Sequence, residues 1–342
     1  MDSRCIAIFL TGDGVPVENG KPLMLQNVLF CPALTWCMRA WMKEGVGRFF
    51  IVCGPELREE AAACVPQGAE TALGDEEAYR RDIAAFAGDL PVQEVRQAML
   101  PAAGGMLPIA SGPELRFTQR LLREETALRW QEAGVLMLDP DAVYIDPRAV
   151  IGPGTTLLPG VILRGPVVIG SGCEIGPNAL IDSSRIGDGS VVNASQVYSS
   201  ELGRNVHVGP FAHIRPNCRL GDGCKAGAYV EIKNASFGQD TKMSHLTYVG
   251  DTDVGSRVNF GCGTITSNYD GFRKYRSAIG DDVFIGCNTN LISPVSLGDG
   301  AYVAAGTTVT KDVAAGSLAI GRVRQEEKPG WAKKRRELHK KP

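Results

Sequence analysis

Between Gly209 and Gly271 the chain gathers side chains that a plain scaffold does not need: Arg215, Lys233, His245, Tyr248, Asn259, Asn268 and Tyr269. Arg215 and Lys233 stand eighteen residues apart. A planar guanidinium fork and a point-charge ammonium suit a phosphate, or equally a solvated pair of surface charges. Glu231, two residues before Lys233, can orient a partner or pair with a cation. His245 is one of four histidines and follows Lys233 by twelve residues. A histidine can take a proton from an ammonium or hydroxyl near neutral pH, although a lone one in a repeat is more often structural. Tyr248 can supply a hydroxyl to the same ligand. Asn259 and Asn268 are amide donor–acceptors, or else corner residues. His207 and His213 have no cysteine or carboxylate cluster at ligand spacing, so no metal is expected.

The elements that must position these groups are announced by a period of six. Ile145, Ile151, Leu157, Leu163, Ile169, Ile175 and Ile181 keep it, the phase shifts near Ser184, and it returns as Val208, Ile214, Leu220, Ala226 and Ile232. It closes with Ile279, Ile285, Leu291, Leu297, Val303 and Val309. Glycine often follows the apolar residue, as at Gly152, Gly187, Gly203 and Gly286. This is the hexapeptide signature of a parallel β-helix, with the apolar residue inside and glycine or a small polar residue expected at each corner, where positive φ is cheap only for glycine. Three hexapeptides per triangular coil, in the left-handed version, give roughly nine coils. Arg215 and Lys233 then fall one coil apart on one face, and His245 two faces further on. Residues 263–278 break the phase, so a polar and aromatic insertion is expected to loop out there. A rigid wall binds ligands in grooves against a neighbouring wall, so a homotrimer or another closed ring is expected.

The rest of the chain is expected to form a partner domain. Strands are predicted over 3–10 and 48–53, and helices over 28–44 and 55–64, an order that argues for a small parallel α/β sheet. Residues 66–113 show pattern only at 83–86 and 92–100. An amphipathic helix over 114–133, stopped by Gly134, is read as the bridge. The expected architecture is α+β and multidomain, a small Rossmann-like α/β domain followed by a left-handed parallel β-helix. Its boundaries are 1–113, 114–142 for the bridge, 143–322 for the β-helix and 323–342 for a tail. From Arg322 on there are nine Lys or Arg against three Glu, so this end is expected to be solvated or to meet an anion. A net charge of -2 does not point to nucleic acid. Ten scattered cysteines without a C-x-x-C pair, and no leader pattern, predict reduced thiols in a cytoplasm. Apolar runs fall well short of the ~20 residues that a membrane span needs.

The runs FAHIRP, VEIKN, SHLTYVGD, VNFGCGTITSNYDG and ISPVSLGDGAYVAAGTTVTKDV carry a resemblance in spacing as well as identity. Together with the bridging helix and LAIGRVRQEEKPGW, they are similar to the acetyltransferase part of the bifunctional N-acetylglucosamine-1-phosphate uridyltransferase/glucosamine-1-phosphate acetyltransferase family. The resemblance implies that Arg215, Lys233, Tyr248, Asn259 and Lys274 hold an amino-sugar phosphate, and that His245 is the general base with Glu231 nearby. It implies that Asn268 and Tyr269 build the site across a subunit boundary, and that Ala305 and Arg322 contact acetyl-CoA. Cys262 stands where the family usually has Ala, and Cys287 where it usually has Ser. A contact through the Cys262 backbone amide survives that change, whereas Cys287 lacks the hydroxyl.

The implied reaction is deprotonation of the amine of glucosamine 1-phosphate by His245, attack on the thioester, and an oxyanion met by backbone N–H groups near Cys262. The N-terminal third fits the family less well. FLTGDGVPVENGKPLML has the glycines but lacks the arginine and fixed spacing of the family's nucleotide loop, and FAGDLP around Asp89 only faintly echoes its metal-binding Gly-Asp. About 25 residues replace a long sugar-binding half, so this domain is expected to be reduced and without uridylyl transfer. The other readings are an acetyltransferase for a related phosphorylated amino sugar, a silent trimeric scaffold or regulator, and an enzyme keeping both activities.

Overall fold

A computed structural model describes residues 4–102 and 105–339. Ser3 of the expected first strand and residues 340–342 of the expected tail lie outside the described residues. Strand β1 (Cys5–Phe9) is buried throughout and pairs in parallel with β2 (Arg48–Val52) and with β4 (Val92–Val95). Strand β3 (Glu70–Gly74) adds to β2, giving the order β3-β2-β1-β4. Alternate β1 side chains serve two cores. Ile6 and Ile8 face helix α1 (Ala33–Lys43), and Ala7 and Phe9 face Tyr79 of α3 (Glu76–Ala87). Helix α2 (Arg58–Ala63) follows β2.

Two expectations for this unit are corrected. The helix expected over 28–44 begins only at Ala33. Asn27–Val28 and Cys31–Pro32 form a small antiparallel pair, and Leu29 and Phe30 have φ of 46° and 68°. Apolar spacing cannot register a left-handed turn before a proline. Helix α3 was unreadable because it buries only Tyr79 and Ala87. Its start is nonetheless fixed by Asp75, whose carboxylate accepts from Ala78 N–H at 2.8 Å. An antiparallel hairpin, β5 (Ala98–Ala102) and β6 (Gly105–Ile109), precedes α4 (Gly112–Glu132).

Helix α4 is the bridge. The Ser111 hydroxyl caps it, accepting from Glu114 N–H, while the Glu114 carboxylate accepts from Ala110 N–H at 2.8 Å. Gly134, at φ 87°, ends it. Leu115 and Leu122 pack into the core beside α1, and Trp130 packs against the core of the β-helix that follows.

From Leu136 on the chain winds into a left-handed parallel β-helix. Face one runs from Leu136–Met137 to Leu318–Ala319 in eleven strands, face two from Tyr144–Ile145 to Thr308–Val309 in ten, and face three from Val150–Ile151 to Ser296–Leu297 in nine. One continuous core from Val135 to Val309 fills the prism. Burying each Val, Leu or Ile contributes about 1.5–3 kcal/mol, so the stack is held coil by coil. The phase shift near Ser184 comes from shortened sides: Ile186, Val197 and Leu202 follow five-residue steps and Val192 a six-residue one, and all four are buried.

The glycines that follow core residues have two roles. Gly176 and Gly209 have positive φ, 105° and 102°. Most of the others do not; they are needed because the coils lie close. A Cβ at Gly187 would sit 2.5 Å from the carbonyl carbon of Gly203, and one at Gly286 would sit 2.4 Å from Ala305 N. The left-handed corners fall, as expected, on glycines such as Gly189 and Gly223 and on small polar residues such as Asn205, Asp240 and Asn288. Helix α5 (Trp331–Leu338) lies in the basic tail and buries none of its residues. No helix among the described residues is long and apolar enough to cross a membrane.

Candidate active site

The insertion is shorter than expected. Ile265–Ser267 and Ser277–Ile279 remain strands in the stack, so the excursion is confined to residues 268–276. It is a small hairpin in which Tyr269 bridges Lys274 and Tyr275 N–H donates to Asn268 C=O at 2.9 Å. Asp270 organises the turn, its carboxylate accepting from the N–H groups of Phe272 and Arg273 at 2.8 and 2.6 Å and from the Tyr275 hydroxyl at 3.0 Å. Arg276 clamps the far end to Asp253 and donates to Asn234 C=O at 2.9 Å.

Asp251, which sequence reasoning did not single out, is the centre of the site. It is 7% exposed and has φ 50°. Its carboxylate accepts from the side-chain amide of Asn234 at 2.5 Å and from that of Asn268, and Lys233 Nζ lies 3.7 Å away. Burial pushes the Asp251 carboxyl up, but the two amides, Lys233 and Lys274 outweigh it and hold the carboxyl below its ordinary value. A signal was present in SHLTYVGD: Asp251 lies seventeen residues beyond Asn234, one coil up.

Lys233 lies one coil above Arg215 on face two. Lys274 comes down from the hairpin beside it. That second ammonium, then burial, push the Lys233 amine below the usual lysine range, with Asp251 opposing. Glu231 is paired with Arg215 at 2.9 Å and so orients that cation. Tyr248 sits one coil above Glu231, its hydroxyl lying over Gly250, where a Cβ would meet it at 2.4 Å and the Asn268 amide nitrogen at 2.9 Å. Burial raises the Tyr248 phenol, and the Asn268 amide pulls it back. Arg215, Glu231, Lys233, Tyr248, Asn268 and Lys274 therefore form one group around face two, with Tyr269 exposed at its edge. Three cations gather there against two carboxylates, Glu231 on Arg215 at 2.9 Å and Asp251 beside Lys233 at 3.7 Å, an excess of positive charge that suits a phosphate.

The other predicted residues form a second group. His245 ends the strand Lys242–His245 on face one and is exposed. Strand pairing of Met243 with Phe260, Phe260 with Ile285 and Ile285 with Val303 puts His245, Cys262, Cys287 and Ala305 in one column at the corner between faces one and two. Backbone bonds of 2.8 Å from Asn288 N–H to Cys262 C=O and from Gly306 N–H to Cys287 C=O continue it. Arg322 lies beside Gly306 at its end. Asn259 is on face one, paired with Lys242 and Phe284. No hydrogen bond or ion pair among the described residues joins this column to the cationic group. The ten cysteines are free; Cys287 is exposed and Cys262 half-buried.

Asp89 does not support a metal-binding echo. It precedes β4, at the amino ends of the parallel strands, whereas the glycine-rich loop follows β1 at their carboxyl ends. No cluster of three or more His, Cys, Asp or Glu suited to a metal occurs among the described residues.

Residues 148–183, 199–234 and 276–311 match the family model described as bacterial transferase hexapeptide (six repeats). A stretch of 115 residues, 34% of this chain, is 55% identical to the bifunctional protein GlmU of Caldicellulosiruptor saccharolyticus. Another of 116 residues is 56% identical to the bifunctional protein GlmU of Clostridium botulinum. The chain spans about a quarter, 25%, of the length of each of these relatives. Among solved structures, UDP-N-acetylglucosamine acyltransferase of Arabidopsis is 16% identical with a TM-score of 0.35, covering 52% of this chain and 70% of that one. The polySia-specific acetyltransferase NeuO has a TM-score of 0.23 at 16% identity, covering 58% of this chain and 99% of that one. The chain thus carries the hexapeptide repeats of the bacterial transferases and, over about a third of its length, a likeness to bifunctional GlmU.

Proposed function

We propose that the protein is an acetyl-CoA-dependent N-acetyltransferase whose acceptor is glucosamine 1-phosphate, acting in the supply of UDP-N-acetylglucosamine. The observation that carries this reading is the convergence of Lys233, Lys274 and Arg215 around Asp251, Tyr248 and Asn268. Such a group suits the phosphate and hydroxyls of a sugar phosphate. Its cations are held by a hairpin and two coils, so the ligand meets a preorganised site.

The chemistry follows from the second group. His245 takes a proton from the ammonium of the acceptor, and the freed amine attacks the thioester carbonyl. Backbone N–H groups beside Cys262 stabilise the tetrahedral oxyanion. Its collapse breaks the carbon–sulfur bond, the coenzyme A thiolate leaves and gains the proton from the histidine, and the attacking nitrogen gives its second proton to solvent as the amide forms. No covalent enzyme intermediate is required, so Cys262 and Cys287 serve as walls. The donor lies along the corner column from His245 toward Ala305 and Arg322. In this reading the column of one subunit faces the cationic group of its neighbour in a homotrimer, in keeping with the lack of a hydrogen bond or ion pair between the two sets among the described residues of one chain.

The proposed division of labour gives residues 143–322 the catalysis, 114–142 the connection, and 323–342 a basic tail. Residues 1–113 form a reduced nucleotidyltransferase-like domain without uridylyl transfer, located with the rest in the cytoplasm. Support comes from the displaced Asp89 and from the Gly-rich loop, where Arg96 already donates to Asp13 C=O at 3.4 Å and stacks 3.8 Å from the Phe9 ring.

Mass spectrometry of reactions with acetyl-CoA and a panel of amino sugars tests this reading. Acetylation of glucosamine 1-phosphate and not of glucosamine supports it. Acetylation of neither, or pyrophosphate released from UTP and Mg²⁺, contradicts it.

A further inference from the structure

A second concavity lies away from both groups, where α1, the β5–β6 hairpin, α4 and Pro147 meet. Its volume is about 350 Å³, within the roughly 300–1,000 Å³ of small-molecule sites. Trp36, Met106 and Leu122 supply apolar walls, and Arg39, Lys43 and Arg129 supply three positive charges. Two carboxylates share the site. Glu44 is committed to Arg4 at 3.0 Å, and among the described residues Glu125 holds no ion pair within 4.0 Å.

Arg39 is poorly satisfied. Its Nε is buried without a hydrogen-bond partner, and its terminal nitrogen reaches only the Pro147 carbonyl, at 3.4 Å. Burial holds Arg129 below the usual arginine range; Glu125 opposes this more strongly than the Arg39 guanidinium adds to it. A buried donor left unpaired is costly. That cost is relieved if an anion lies beside Arg39, and a guanidinium fork matches a phosphate in two-point contact. Metabolite anions of this kind usually carry an apolar or flat body, which Trp36, Met106 and Leu122 would receive.

We propose that this cavity is a binding site for a small organic phosphate with a flat apolar-faced body, distinct from the candidate active site. The phosphate lies between Arg39, Arg129 and Lys43, and the body rests on Trp36. Because the walls come from the α/β unit, the bridging helix and the first coil, occupancy ties the three together.

Calorimetry on the full chain tests this with uridine monophosphate, adenosine monophosphate and inorganic phosphate as probes. At least one nucleotide is expected to bind, and more tightly than inorganic phosphate. Arg39→Gln is expected to weaken it about tenfold or more. Ala40→Phe, which fills the cavity and keeps every cation, is expected to do the same, so a folding defect at Arg39 cannot mimic the result. Arg96→Gln, at the carboxyl ends of β1 and β4, and Lys233→Met, at the candidate active site, are expected to leave the affinity unchanged. The proposal is overturned if neither nucleotide binds the wild type at millimolar concentration. Binding indifferent to Ala40→Phe, or abolished by Arg96→Gln or Lys233→Met, overturns it equally.

Discussion

Replacing Asp251 by Asn keeps the shape of the side chain and removes its charge. The native carboxylate accepts from two side-chain amides on two different coils and balances the Lys233 ammonium at 3.7 Å, with its side chain only 10% exposed. An asparagine offers one oxygen, so at least one of Asn234 and Asn268 loses its acceptor and meets an NH₂ group instead. Lys233 and Lys274 then face one another without their counter-charge. A hydrogen bond to a charged group is worth about 1.5–3 kcal/mol, and stranding buried donors costs a similar amount. We take about 2–3 kcal/mol for the combined effect on substrate binding, which corresponds to roughly 30- to 150-fold in kcat/KM. Because Asn268 and Lys274 belong to the hairpin, the loss is expected mainly in KM for the sugar phosphate, with faster hydrogen exchange over residues 268–276. Steady-state thiol release at varied acceptor, with exchange followed by mass spectrometry, measures both. A variant with wild-type kcat/KM and an unchanged exchange pattern would refute the role given to Asp251.

Four further outcomes are expected. Lys233→Met raises KM for the sugar phosphate at least tenfold and leaves KM for acetyl-CoA unchanged, measured by the same assay. The hydrogen bonds from Arg276, its charge and that from Ser236 hold the Asp253 carboxyl at about 2; a depressed carboxylate stabilises above its unfolded value and loses this as pH falls toward about 2. Protection of the hairpin amides, taken as exchange relative to the intrinsic rate at each pH, should therefore fall on acidification from about pH 4 downward, and Asp253→Asn should abolish that dependence. Cys287 is the one exposed thiol among the ten cysteines, so native protein should show one fast-reacting thiol that acetyl-CoA protects, while Cys37, pushed up to about 12 by burial, reacts only on unfolding. Gly261→Ala places a Cβ 2.5 Å from Cys287 N; such overpacking costs about 1–3 kcal/mol and is checked by thermal denaturation.

The β-helix was legible because its core positions see one environment repeated. Ile145 to Ile181 and Ile279 to Val309 point into the same dry prism, so the period of six survives in the residue types. The shortened sides after Ser184 hid from that reading, since Ile186 and Val197 face inward at five-residue steps. Helix α3 stayed hidden because it lies on the sheet with few apolar contacts. In the site, Arg215 and Lys233 were readable through their one-coil spacing, whereas Asp251 was not. Asn234 and Asn268 lie seventeen residues before and after it, one coil down and one coil up, a spacing one short of the eighteen that made Arg215 and Lys233 readable. The separation of His245 from the cations was readable, because twelve residues place it two faces beyond Lys233 and the structure puts Lys233 on face two and His245 on face one.

The central claim is acetyl transfer with His245 as base. Thiol release from acetyl-CoA, with and without glucosamine 1-phosphate, for wild type and His245→Ala, tests it most directly. The account predicts release that depends on the sugar phosphate and falls about 10²–10⁴-fold in the variant, with KM for the acceptor little changed. Release by the variant at the wild-type rate, or none from the wild type under any condition, would contradict it.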